Sequence, residues 1–274
     1  MYVPAAATDE DVDQRIVEAA ARLTADGAVT GWAALRWCGV PYVDGLDSDG
    51  RAPLPVPLAL GRGRGRAPAG AMATRAALGV DDVAVVDGLR VTAPLRALVD
   101  QARWCDDPRE LVVLLDQTRG AGLVTRVELA RDPVGRRASP AQGRLRSVLA
   151  LSSARSRSPQ ETRLRLVCRL DLGIERLLEN ATILDPAGRF VAEVDLLDPD
   201  HGVALEYDGS VHRSAARHAS DVARSESLLD VGLEVVSVVG RAGLDPVVLG
   251  RRLASARRRA QRLVPRFRAV IRPL

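Results

Sequence analysis

"FVAEVDLLDPDHGVALEYD", residues 190–208, holds two runs of alternating side chains around a DPDHG turn signal. Side chains alternate faces along a strand. Phe190, Ala192, Val194 and Leu196 therefore share one face of the first run, and Val191, Glu193, Asp195 and Leu197 share the other. In the second run Val203, Leu205 and Tyr207 form an apolar face opposite Ala204, Glu206 and Asp208. The short turn predicts an antiparallel hairpin, which brings Asp195, Glu206 and Asp208 to one face with Glu193 nearby. Two like charges about 4 Å apart repel by roughly 4 kcal/mol at an effective dielectric near 20. Such a face is either bathed in water or holds a cation, and Mg²⁺ suits a few carboxylates plus waters. Parity alone leaves both readings open.

The hairpin sits in a longer pattern. Upstream, "SPQETRLRLVCRLDLG" places Ser158 as N-cap, Pro159 at the first helical position and Glu161 three residues after Ser158. That is the spacing of a capping box, and Leu164, Val167 and Cys168 follow at helical intervals. Strands are expected at about 181–185, 190–197 and 203–208, then a helix over 214–231, the strand "LEVVSVV" and a basic helix from 245 to about 262. The order is helix, three strands, helix, strand, helix.

The first half reads differently. Residues 10–25 carry Val12, Ile16, Val17, Ala20 and Leu23 near helical spacing, and "TGWAALRWCGV" opens a short helix with Thr30 as its predicted N-cap. "LPVPLAL" is strand-like but broken by proline, which predicts an edge strand. "GRGRGRAPAG" is a flexible basic loop; it lacks the lysine that a phosphate-cradling loop places after its last glycine. Short strands at "VAVVDG" and "LRVTA" precede helices at 94–104, 107–119, 125–131 and 140–151. "SSARSRSP", residues 152–159, is small, polar, basic and ended by proline, as a linker is. The expected architecture is mixed α/β (α+β): a mainly helical domain over 1–151 with a few strands, a linker over 152–159, an αβββαβ domain over 160–262 and a basic tail over 263–274.

Composition narrows the function classes. All 39 Lys+Arg residues are arginine, and Asn180 is the single asparagine. This pattern fits a codon bias towards G and C, so an arginine is not in itself a sign of DNA contact. Residues 1–150 hold 19 Arg and 19 acids, residues 151–250 hold 11 Arg and 16 acids, and residues 251–274 hold nine Arg and no acid. The excess positive charge is thus concentrated at the C-terminal end. Cys38, Cys105 and Cys168 are far apart and form no CxxC pair, which argues against a structural zinc site or disulfide framework and for reduced thiols in the cytoplasm. "MYVPAAATDEDVD" is acidic and lacks an apolar core, unlike a signal peptide. No apolar run approaches the ~18 residues of a membrane span, and no motif for a small-molecule cofactor appears.

Glu161, "EVDLLDPDHGVALEYDGSVH" and "DVARSESLLDVGLEVVSV" together resemble the domain-of-unknown-function 559 family over about residues 158–262. That family belongs to the PD-(D/E)XK nuclease superfamily and is similar to very-short-patch-repair endonucleases. The resemblance implies a restriction-endonuclease-like αβββαβ core, a Mg²⁺ or Mn²⁺ cofactor and DNA as the partner. It implies Asp195, Glu206 and the Tyr207 carbonyl as metal ligands, with Glu161 orienting the attacking water. Asp208 stands where the superfamily usually carries a lysine, so the missing cation falls to His212 as general acid/base and to Arg224 at a phosphate. Arg213 and Arg217 flank His212 as further phosphate contacts.

Plainer roles stand beside these. Glu161 caps its helix; Asp221 and Arg224, three apart on a helix, suit a surface ion pair; His212 is a hydrogen-bonding residue before a helix. His201 and His218 have no partner pattern and read as surface residues. The first half, through "TGWAALRWCGV" and residues 87–130, resembles regions associated with AbiEi-type antitoxins of type IV toxin–antitoxin systems. Two functions from different classes follow: a Mg²⁺-dependent endodeoxyribonuclease, or a catalytically idle nuclease fold that binds DNA or a protein partner as a regulator.

Overall fold

The computed structural model describes residues 11–48, 50–62, 65–131, 139–208 and 215–271. The chain divides into two compact units, Met1–Ser153 and Ala154–Leu274, and the division falls inside the predicted linker. No helix among the described residues is long and apolar enough to cross a membrane.

The first unit contains α1 (Val12–Ala20), β1 (Ala28–Val29), α2 (Gly31–Trp37), β2 (Val56–Ala59), β3 (Ala71–Thr74), β4 (Val83–Val86) and β5 (Leu89–Thr92). The helices α3 (Pro94–Gln101), α4 (Pro108–Gly120), α5 (Arg126–Ala130) and α6 (Pro140–Leu149) follow. Its five strands run in the order β3-β2-β1-β5-β4, so β2 lies inside the sheet and the edge position expected of "LPVPLAL" is wrong. The reason lies at Pro57. Its carbonyl accepts from the Thr30 N–H, while the Thr30 carbonyl that would have faced the missing proline N–H accepts instead from Ala34 N in α2. Proline is excluded from a central strand because it lacks a donor, and here no acceptor awaits one.

Thr30 stands where the sequence places it. It occupies the N-cap position of α2, but its side chain makes no capping bond. Its hydroxyl donates to buried Asp100 at 2.9 Å and lies 2.9 Å from the Thr92 hydroxyl. Arg96 and Arg103 also donate to Asp100, at 2.9 and 3.2 Å. One carboxylate thus ties the start of α2 to α3. The β4–β5 hairpin turns at Asp87 and Gly88, with φ of 48° and 78°, the two positive values that an Asp-Gly hairpin turn supplies.

The second unit contains α7 (Pro159–Leu166), which runs into a π-helical turn at Val167–Asp171, then β6 (Leu178–Leu184), β7 (Phe190–Asp198) and β8 (Val203–Asp208). Then come α8 (Ala215–Asp230), β9 (Glu234–Val239), α9 (Pro246–Ala260) and β10 (Arg268–Val270). The predicted order is present. The sheet runs β10-β6-β7-β8-β9, with β6, β7 and β8 antiparallel in sequence and β8 parallel to β9.

The alternation expected of the hairpin places its residues in two cores. Leu196, Val203 and Leu205, with Tyr207 beside them, pack with Leu164 of α7 and Leu249, Leu253 and Ala256 of α9. Leu197 and Ala204 pack with Leu228, Val231 and Leu233 at the end of α8 and just beyond it. The two-face sorting fails at Ala192 and Val194, which join the second core although they share parity with Leu196.

The C-terminal segment is not a tail. Four residues of α9 are buried, and Arg268–Val270 add a strand paired with β6. Its arginines are partly spent inside the unit. Arg257 donates to buried Asp198 at 2.6 and 3.0 Å, Arg259 to Glu234 at 2.9 Å and Arg252 to the Ser237 carbonyl at 2.6 Å. His201 is exposed, as expected, yet it has a partner: its Nδ1 lies 2.9 Å from Asp198.

If α9 is a core helix, Leu253→Ala leaves a cavity and lowers the unfolding free energy by about 3 kcal/mol in denaturant titration. A solvated helix would lose less than about 0.5 kcal/mol.

Candidate functional site

The β7–β8 register pairs Leu196 with Leu205, so the next positions outward on the antiparallel pair are Asp195 and Glu206. Here a side chain replaces part of the ladder: Asp195 Oδ2 accepts from the Tyr207 N–H at 2.8 Å. That bond fixes the Asp195 carboxylate against β8, beside Glu206. The Tyr207 ring packs against the first core, so its side chain belongs to the fold. Burial raises the Tyr207 hydroxyl pKa, while Arg163 and Arg241 lower it.

Glu161 comes from α7. Ser158 Oγ accepts from Glu161 N at 3.2 Å, which is half of the expected capping box. The other half is not made. Glu161 Oε2 accepts instead from Arg157 N at 2.9 Å and from Asn180 Nδ2 at 3.0 Å. Asn180 sits in β6 between the paired residues Glu179 and Ala181. With φ of 48° it adopts a left-handed backbone that asparagine tolerates better than most residues. Its amide also donates to the Arg155 carbonyl at 2.8 Å. Glu161 is therefore held by two donors and is 9% exposed.

Asp195 feels its surroundings strongly. Burial pushes its pKa from the ordinary 3.8 to about 6; the Tyr207 N–H opposes this, the Glu161 charge adds to it, and Arg224 and Arg157 pull it back. Asp195 is thus a buried carboxylate whose nearby arginines do not fully offset its burial.

Arg224 of α8 is one of these arginines. Its Nη1 donates to Glu206 Oε2 at 2.9 Å, its Nη2 lies 2.7 Å from Oε1, and Nη2 also donates to the Glu193 carbonyl. The side chains are 39% and 19% exposed, so the pair contributes about 1 kcal/mol. Arg157 pairs with the Glu193 carboxylate.

The structure thus brings together Glu161, Asp195, Glu206 and Arg224. Asp208 lies at the end of β8, paired in register with Val239. His212 and Arg213 lie outside the described residues, as do the side chains of Arg217, His218 and Asp221. Two residues of the site were missed from the sequence, Asn180 and Arg157. Asn180 carried a signal, as the single asparagine of the chain in a strand segment; Arg157 gives its backbone N–H to Glu161 and its guanidinium to Glu193, and its place in the linker marked neither contact.

Two carboxylates on neighbouring strands suit a hard divalent cation, and a carboxyl forced up to about 6 is one that added positive charge would relieve. The donor chemistry therefore fits Mg²⁺ or Mn²⁺. Among the described residues, no group of three or more His, Cys, Asp or Glu side chains is gathered closely enough to hold a metal on its own. Comparison with family models, curated proteins and solved structures returns no match to this chain.

A raised carboxyl pKa means that the folded protein keeps its proton to a higher pH than the unfolded chain. Between pH 3.8 and about 6 each rise in pH therefore favours unfolding, and the whole penalty persists above 6. Asp195→Asn keeps an acceptor for Tyr207 and removes the charge. It should stabilise the metal-free protein at pH 7.5 by on the order of 2 kcal/mol, with the gain shrinking towards pH 4. A gain that does not change with pH would show that burial of the charge is not its source.

Proposed function

We propose that the second unit is a metal-dependent endodeoxyribonuclease of the PD-(D/E)XK type, hydrolysing phosphodiester bonds in the cytoplasm. The observation that carries this reading is that Glu161 from α7 acts on the buried Asp195 of β7, pushed up to about 6, while Arg224 acts on Asp195 and binds Glu206 of β8. The element order and the antiparallel β6-β7-β8 set with parallel β9 also suit such a core.

Asp195 and Glu206, with the Tyr207 carbonyl, would hold Mg²⁺ or Mn²⁺. The ion would supply Lewis acidity and a nucleophilic water. The remaining work belongs to the chain. Glu161, fixed by Asn180 and the Arg157 amide, orients the attacking water. Arg224 brings positive charge to the site, and Arg213 and Arg217 would be further contacts to DNA phosphates. His212 exchanges protons with the reacting groups, since Asp208 stands where related enzymes carry a lysine.

One observation favours a second reading, a nuclease fold without catalysis that binds DNA or a protein partner, such as an antitoxin-like regulator. Arg224 already occupies Glu206.

Supercoiled plasmid incubated with the full chain and Mg²⁺ or Mn²⁺ separates the two. The nuclease reading predicts nicking that falls at least about 100-fold in Asp195→Ala and Glu206→Ala, the loss expected when metal-borne transition-state stabilisation goes. Equal nicking by the variants would mark a contaminant. DNA retained uncut with every metal would favour the regulator.

A further inference from the structure

The Arg224–Glu206 contact is positioned as a lock. Glu206 is a proposed metal ligand, and a two-pronged guanidinium contact engages both of its carboxylate oxygens. Arg224 belongs to α8, whereas Asp195 and Glu206 belong to the β7–β8 hairpin. Its departure therefore leaves the carboxylate scaffold, and the Tyr207–Asp195 bond within it, in place. The arginine side chain is 39% exposed, so it has solvent to withdraw into. Its other contact is a carbonyl of Glu193, a neutral acceptor.

Resting on the metal-dependent reading of this site, we propose that Arg224 is an exchangeable counter-ion. It neutralises Glu206 in the metal-free protein, is displaced by a divalent cation, and is thereby released to engage an anionic phosphate. Metal loading and phosphate capture are then one event, because the guanidinium becomes free only when Glu206 has another partner. The device also offers a route to positive charge at the reacting phosphate in a chain that has no lysine. A buried pair would resist such exchange, because both charges would have to find new partners out of water. This pair is partly solvated on the arginine side.

Calorimetric titration of the full chain with Mn²⁺ alone, without DNA, tests the lock apart from activity. Wild type should bind, and Asp195→Ala should not. Arg224→Gln should bind about tenfold more tightly than wild type, since no guanidinium competes for Glu206. Arg224→Lys keeps the charge but loses the planar fork, and should also bind more tightly than wild type. If Arg224→Lys matches wild type while Arg224→Gln is tighter, the arginine acts only through its field, and the lock is wrong. If Arg224→Gln is unchanged or weaker, the lock is wrong while the metal site stands. If no form binds Mn²⁺, the lock and the metal-dependent reading fall together.

A spectroscopic arm guards against variants that fail to fold. In wild-type protein the Arg224 side-chain N–H resonances should move as Mg²⁺ is added and track the occupancy of the site. Resonances that stay fixed at saturating metal would overturn the proposal.

Discussion

Asp195 is a carboxylate fixed by a backbone donor, Tyr207 N–H, and buried without a full counter-charge. The surrounding arrangement answers that imbalance. Glu161 is steadied by an amide side chain and a backbone N–H instead of by a cation. Glu206 receives the guanidinium of Arg224, and Glu193 receives that of Arg157. Arginine is the residue suited to this task, because its planar fork matches a carboxylate edge and stays charged at any relevant pH. A site built in this way stores a demand for one more positive charge. A divalent cation, or a protonated Asp195, meets it.

The scaffold under the site is apolar and continuous. Leu196 and Leu205 anchor the hairpin in one core, and Leu197 and Ala204 anchor it in the other. The carboxylates lie just beyond the last paired residues of that hairpin, so their placement is inherited from strands packed on both faces. The Asp198–Arg257 contact adds a second tie, from the end of β7 to α9. The first unit follows the same logic on a smaller scale, with buried Asp100 gathering Thr30, Arg96 and Arg103.

Much of this was legible in the sequence where a short period governs the structure. The alternation in residues 190–208 identified the hairpin and set Asp195 and Glu206 on its adjacent strands, though it missorted Ala192 and Val194, and the Ser158–Glu161 spacing located the start of α7. What escaped depends on contacts distant in sequence. Pro57 was read as an edge signal because the carbonyl that Thr30 commits to α2 is 27 residues away and carries no local mark. Residues 263–274 read as a basic tail because the pairing of β10 with β6, more than 80 residues earlier, carries no local mark. Helical spacing set Arg224 beside Asp221, but its bond to Glu206, 18 residues earlier, carried no local mark. Parity could say which residues share a face, and not which cation would meet them.

The central claim is that Asp195 and Glu206 form a site for one divalent cation that Arg224 occupies in its absence. The most direct test is a crystal of the protein grown with Mn²⁺ and measured at the manganese absorption edge. An anomalous peak between the Asp195 and Glu206 carboxylates, with Arg224 withdrawn from Glu206, is the predicted result. A map without that peak at saturating Mn²⁺, with the guanidinium still forked on Glu206, would contradict it.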